Sequence, residues 1–101
     1  MFLIQILLPL YDNKGRAQPR ELLGDVRRQL TEKFGGLTTF SRAPAQGLWK
    51  EEGETHRDDI VVFEVMAAEL DKGWWDAYRQ ALEQSFRQQE IVIRAQDMTR
   101  L

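Results

Sequence analysis

The chain has no cysteine, which removes disulfides, thiolate metal sites and a cysteine nucleophile in one step. A single histidine, His56, stands beside Asp58 and Asp59 with no spacing that a metal centre would use, so no metal and no cofactor is expected. An excess of charge of one sign is missing too. Fourteen basic and sixteen acidic residues are interspersed to a net −2, which leaves no electrostatic footprint for nucleic acid or an anionic membrane. Long hydrophobic runs are absent as well. The apolar start at 2–8 has no basic segment before it and no small-residue cleavage site after it, and it reaches Pro9 and Asp12 too soon to span a bilayer. A buried strand in a cytoplasmic protein is therefore expected.

At 101 residues the chain has material for one core only, and 43% hydrophobic with 30% charged residues is the balance of a folded soluble domain. FLIQILLPL reads as a strand ended by Pro9 and the turn-forming DNKG at 12–15. Leu22, Leu23, Val26, Leu30 and Phe34 then recur at helical spacing, with Pro19 suited to a first turn and Gly35 with Gly36 to a stop. LTTF at 37–40 reads as a short strand, SRAPAQG interrupts it, and LWKEEGE reads as an extended piece turning at Gly53. DDIVVFEVM is rich in β-branched and aromatic residues on both faces and gives the clearest strand.

A second helix starts at Asp71, an N-cap, and buries Trp75, Tyr78, Leu82 and Phe86. Arg79, Glu83 and Arg87 sit at i, i+4 spacing and are expected to shape the exposed face and little else. EIVIRAQ closes the chain as a last strand. Strand, helix, strand, strand, helix, strand is the α+β ferredoxin-like order βαββαβ, in which two helices cover one face of a four-stranded antiparallel sheet ordered fourth, first, third, second.

One polar residue stands in each of three apolar strands: Gln5, Glu64 and Arg94. Alternation puts all three on the helix-free face, and the expected order puts Gln5 between the other two. If the register aligns them, Glu64 and Arg94 stand roughly 10 Å apart across Gln5, close enough to meet it or a shared ligand. Leu3, Leu7, Ile60, Val62, Met66 and Val92 share that face, more apolar surface than a monomer leaves wet. A second copy of the chain is the expected cover, most simply as a homodimer.

Two function classes remain open. One is a small-molecule-binding or interaction module, with Gln5, Glu64, Arg94 and Trp49 as ligand contacts. The other is a cofactor-independent enzyme of the dimeric α/β barrel type, with Glu64 or His56 accepting a proton and Arg94 stabilising an anion. Each motif also has a plain structural reading. The trio can be an interface salt bridge, His56 a solvated rim residue, Trp49 a packing residue, and Thr38, Thr39 and Ser41 ordinary edge-strand hydroxyls.

GGLT at 35–38, GLW at 47–49, Gly53 and DDIVVFEV at 58–65 resemble an uncharacterised family of short bacterial ferredoxin-like proteins, with Gly-Gly-x-Thr after the first helix and Gly-x-Trp before the second hairpin strand. The resemblance spans most of the chain and implies the fold without an activity. Better understood relatives of the architecture fit less well. LPLYDNKGRAQ lacks the glycine-rich, Arg-bearing loop of acylphosphatase-like proteins, and Gln5, Val62 and Glu64 do not form the aromatic platform of RNA-recognition sheets. The polar stretch at 50–57 is short beside the loop of nitrogen-regulatory trimers of the PII type.

Overall fold

A computed structural model describes residues 1–42, 50–51, 54–55 and 60–101, with side chains described outside 39–59. Strand β1 (Phe2–Pro9) is followed by helix α1 (Arg20–Phe34) and strand β2 (Thr38–Arg42). A short hairpin of β3 (Lys50–Glu51) and β4 (Glu54–Thr55) precedes β5 (Ile60–Ala67), helix α2 (Lys72–Ser85) and β6 (Val92–Asp97). The expected α+β class, two helices with an antiparallel sheet, is what the chain forms. The main sheet runs β2-β5-β1-β6, so the first strand lies between the last and the third long one.

Strand alternation builds the core. Ile4, Ile6 and Leu8 of β1 and Val61, Phe63 and Val65 of β5 point to the helix side, where Val26 and Leu30 of α1 and Trp75, Leu82 and Phe86 around α2 meet them. Ile91, just ahead of β6, is buried with them, whereas Ala95 of β6 is exposed. The α2 half rests on aromatic stacking as well: Phe34 lies parallel to Trp75 at 5.3 Å and Trp74 parallel to Tyr78 at 4.8 Å. Lys33 Nζ sits 4.4 Å from the Trp74 ring centroid, a cation over the best aromatic face available to it.

The helix ends follow the sequence signals with one shift. Asp71 caps α2 by accepting the Trp74 N–H at 3.0 Å. Gly35 ends α1 in the left-handed conformation, φ 75°, where any side chain is strained. Pro19 precedes the first helical residue as the N-cap rather than occupying the first turn. At 12–16 the Asp12 carboxylate accepts the backbone N–H groups of Lys14 and Arg16, each at 2.9 Å, and the Arg16 backbone bond above all holds its pKa below the usual carboxylate range.

Glu83 does more than the surface pairing expected of it. Arg79 grips both of its carboxylate oxygens at 3.0 Å, and Glu83 Oε2 also accepts the N–H of buried Ile91 at 3.0 Å, tying α2 to the start of β6. Arg87, the other expected partner, lies beyond the helix with φ 55°. Glu83→Ala strands that amide, and a buried donor without a partner costs about 1–3 kcal/mol. Urea unfolding that shows a loss no larger than that of Asp76→Ala would return Glu83 to a surface role. Among the described residues no helix is long and apolar enough to cross a membrane.

Candidate functional site

The helix-free face carries a polar row that crosses the whole sheet. Gln5 of β1 is the direct partner of Glu64 on β5 and of Arg94 on β6, and Glu64 is in turn the partner of Thr38 on β2. Directly opposed residues in neighbouring strands project to one face, so Arg94, Gln5, Glu64 and Thr38 stand side by side. The register that the sequence left open thus aligns all three of the expected residues and adds a fourth. Thr38 could not be placed there from the sequence, because nothing in LTTF fixes how the edge strand slides along β5.

Within the row the hydrogen bonds run in one direction. Arg94 Nε donates to Gln5 Oε1 at 2.7 Å, and Gln5 Nε2 donates to Glu64 Oε2 at 2.6 Å. The amide separates the two charges and satisfies one side of each, a charge-assisted arrangement at both ends. Among the described residues the terminal nitrogens of Arg94 and Oε1 of Glu64 have no protein partner. The relay therefore ends in spare donors on β6 and a spare acceptor on β5. Arg94 is exposed, while Gln5 and Glu64 are half-buried.

The apolar frame around the row is smaller than the sequence implied. Val62, on this same face, is only 1% exposed and so is covered within the chain, whereas Met66 and Val92 are each 45% exposed. The open apolar surface lies beside the relay, toward Leu3 and Met66 on one side and Val92 on the other.

Glu64 also borders a cleft of about 590 Å³ where β1 begins and β5 ends. Phe34, Leu37 and Met66 supply an apolar wall, and Thr38, Glu64 and Arg100 supply polar groups. Gly35 and Gly36 complete the wall at the end of α1; a Cβ added at Gly36 would meet nothing within 4 Å, so the fold makes no steric demand for glycine there. Arg100 escaped the sequence reading because nothing in MTRL marks a site; only the tail's path past the sheet end brings it close. The combination is one half-buried carboxylate, one guanidinium and an apolar wall, which suits an organic ligand of mixed polarity.

A second hollow, of about 370 Å³, lies between α1 and α2 and is bordered by Gln29, Trp74 and Tyr78. Burial pushes the Tyr78 phenol up to about 12, and its hydroxyl donates to Gln29 Oε1 at 2.9 Å. At neutral pH it is a protonated hydrogen-bond donor rather than a base. Trp49 and His56 lie outside the described residues, as do the GLW run at 47–49 and Gly53. Among the described residues no group of three His, Asp or Glu is placed to hold a metal ion.

No protein-family model matches the chain, and no curated protein does. Solved structures do match in fold. A phage SAM lyase in complex with S-methyl-5′-thioadenosine superposes with a TM-score of 0.65 at 15% identity, over 95% of this chain and 80% of that one. A phage SAM lyase in the apo state superposes with a TM-score of 0.57 at 16% identity, over 94% of this chain and 78% of that one. At such identities the likeness is one of fold.

Proposed function

We propose that this chain is a ferredoxin-like domain that binds a small organic molecule at its helix-free face, centred on Glu64, and that a second copy of the chain covers the open part of that face as a homodimer. The observation that carries the reading is the double position of Glu64. It is the acceptor end of the Arg94–Gln5–Glu64 relay, and it borders the 590 Å³ cleft. A carboxylate fixed by an amide, with one oxygen unspent, is oriented before any ligand arrives, and such preorganisation lowers the cost of binding.

The ligand class that best suits the cleft is an adenosine thioether or its sulfonium precursor. The flat aromatic face of the base fits against Phe34 and Leu37, a cationic or hydroxyl-bearing part against Glu64, and a carboxylate, where one is present, against Arg100. The fold shared with a lyase that holds S-methyl-5′-thioadenosine supports the choice of probe. Calorimetric titration with S-methyl-5′-thioadenosine and with SAM should give saturable binding, weakened about 10-fold or more by Glu64→Gln, in line with a hydrogen bond to a charged group. Absence of saturation by either compound at millimolar concentration, or equal affinity in the variant, would overturn this reading.

The same likeness in fold favours a second reading, a cofactor-independent enzyme of the dimeric α/β barrel type. There Glu64 accepts a proton and Arg94 stabilises the anion that forms. The two readings part on one variant: an enzyme loses turnover with Glu64→Gln while retaining much of its affinity, and a binding module has no turnover to lose.

A further inference from the structure

The polar row is self-complementary under only one of the two simple ways of laying one sheet face on another. We infer that two copies pair about a two-fold axis running parallel to β1 and over Gln5, so that the partner's Arg94 meets Glu64 and completes the site. The inference rests on the self-association proposed above and gives it a symmetry and a residue.

Arg94, Gln5 and Glu64 occupy three adjacent strands in register, with the cation on one side of Gln5 and the anion on the other. Neighbouring strands are about 4.8 Å apart, so the two charges sit at nearly equal distances either side of β1. A face-to-face pair needs an axis lying parallel to the sheets. An axis perpendicular to the strands would set Arg94 over the partner's Arg94 and Glu64 over the partner's Glu64. An axis along β1 exchanges left and right across Gln5 and sets each Arg94 over the partner's Glu64.

The unspent atoms match that second arrangement. The terminal nitrogens of Arg94 and Oε1 of Glu64 are the groups without a protein partner among the described residues, a donor end and an acceptor end. Packed sheets stand about 10 Å apart, a gap that a guanidinium and a carboxylate can close between them. The same operation leaves Leu3 over the partner's Leu3 and brings exposed Met66 over the partner's Gln96, since Met66 and Gln96 flank Leu3 in register. Val62 is already covered within the chain, so the contact runs from the relay toward the Leu3 row. Glu64 borders the cleft, and the partner's Arg94 would therefore stand at its rim, giving each cleft a guanidinium from the other copy.

Charge reversal tests the axis directly. Light scattering and native mass spectrometry of the full chain should show two copies of the 11.8 kDa protein. Glu64→Arg alone and Arg94→Glu alone each set like charges face to face twice per dimer, and each should weaken association about 100-fold or more, an effect that added salt reduces. Mixing the two single variants should restore a dimer of unlike copies, which also shows that the single variants fold, and the double variant Glu64→Arg with Arg94→Glu should restore a dimer of like copies. A wild-type chain that stays single at micromolar concentration overturns the self-association itself. A wild-type trimer, or a dimer indifferent to the single reversals, overturns this axis and leaves self-association standing.

Discussion

Phe63→Ala should destabilise the fold by about 3–5 kcal/mol, the usual range for deleting a fully buried aromatic ring. Phe63 is fully buried at the middle of β5, paired with Ile6 on one side and Thr39 on the other. Its ring belongs to the core that α1 and α2 share, and the Arg27 guanidinium lies 6.0 Å from its centroid. Removing the ring leaves a cavity that neither strand can close, because β5 is bonded on both edges and cannot shift without breaking the polar row one residue away. A loss of this size is a large share of the 5–15 kcal/mol typical of a small domain, so the variant should be partly unfolded at room temperature or close to it. Urea titration with an unchanged slope is the measurement. Val92→Ala is the control: Val92 is 45% exposed, and its truncation should change stability by less than about 0.5 kcal/mol. Equal effects from the two variants would mean that the helix-side face is not the one that holds the fold together.

That contrast also shows what made the fold legible. The alternation in FLIQILL and IVVFEV separates the two faces without reference to any partner, since period two is a property of an extended backbone. Gly35 and Asp71 mark helix ends because their local chemistry suits a left-handed C-cap and an N-cap, whatever the helix packs against. Glu83 was not legible in that way. Its i, i+4 spacing to Arg79 advertises a surface pair, while its bond to the Ile91 amide depends on where the chain returns after α2, a non-local fact.

The candidate site divides along the same line. Gln5, Glu64 and Arg94 stand out because a polar residue in an apolar strand is locally conspicuous. Thr38 and Arg100 do not, because one depends on the register of an edge strand and the other on the path of the tail. Val62 shows the converse error. Assigned by alternation to the open face, it is nevertheless buried, because alternation reports the direction of a side chain and not what lies over it.

Gln5→Leu should separate a structural lock from a ligand site, and its effect on binding should be the larger of the two. Among the described residues Gln5 is the only link between Arg94 and Glu64, accepting from one at 2.7 Å and donating to the other at 2.6 Å. Leucine keeps the volume and the strand, and each charged group still finds water in a single copy or the opposite charge across the proposed pair, so the stability change should stay within about 1 kcal/mol. Glu64, however, loses the donor that aims it at the cleft. A hydrogen bond to a charged group is worth about 1.5–3 kcal/mol, so binding of S-methyl-5′-thioadenosine should weaken roughly 10- to 100-fold through the lost orientation. Gln5→Glu sharpens the test. The new carboxylate can still accept from Arg94, but it sets a like charge beside Glu64 and cannot donate to it. If ligand affinity depends on Glu64 being held, the Leu and Glu variants fail together. If it depends on Arg94 being held, the Glu variant retains binding and the Leu variant does not, which would move the centre of the site from β5 to β6. Should both variants bind as the parent does while unfolding at markedly lower urea, the relay is a lock within the sheet, and the cleft beside it has no share in its chemistry.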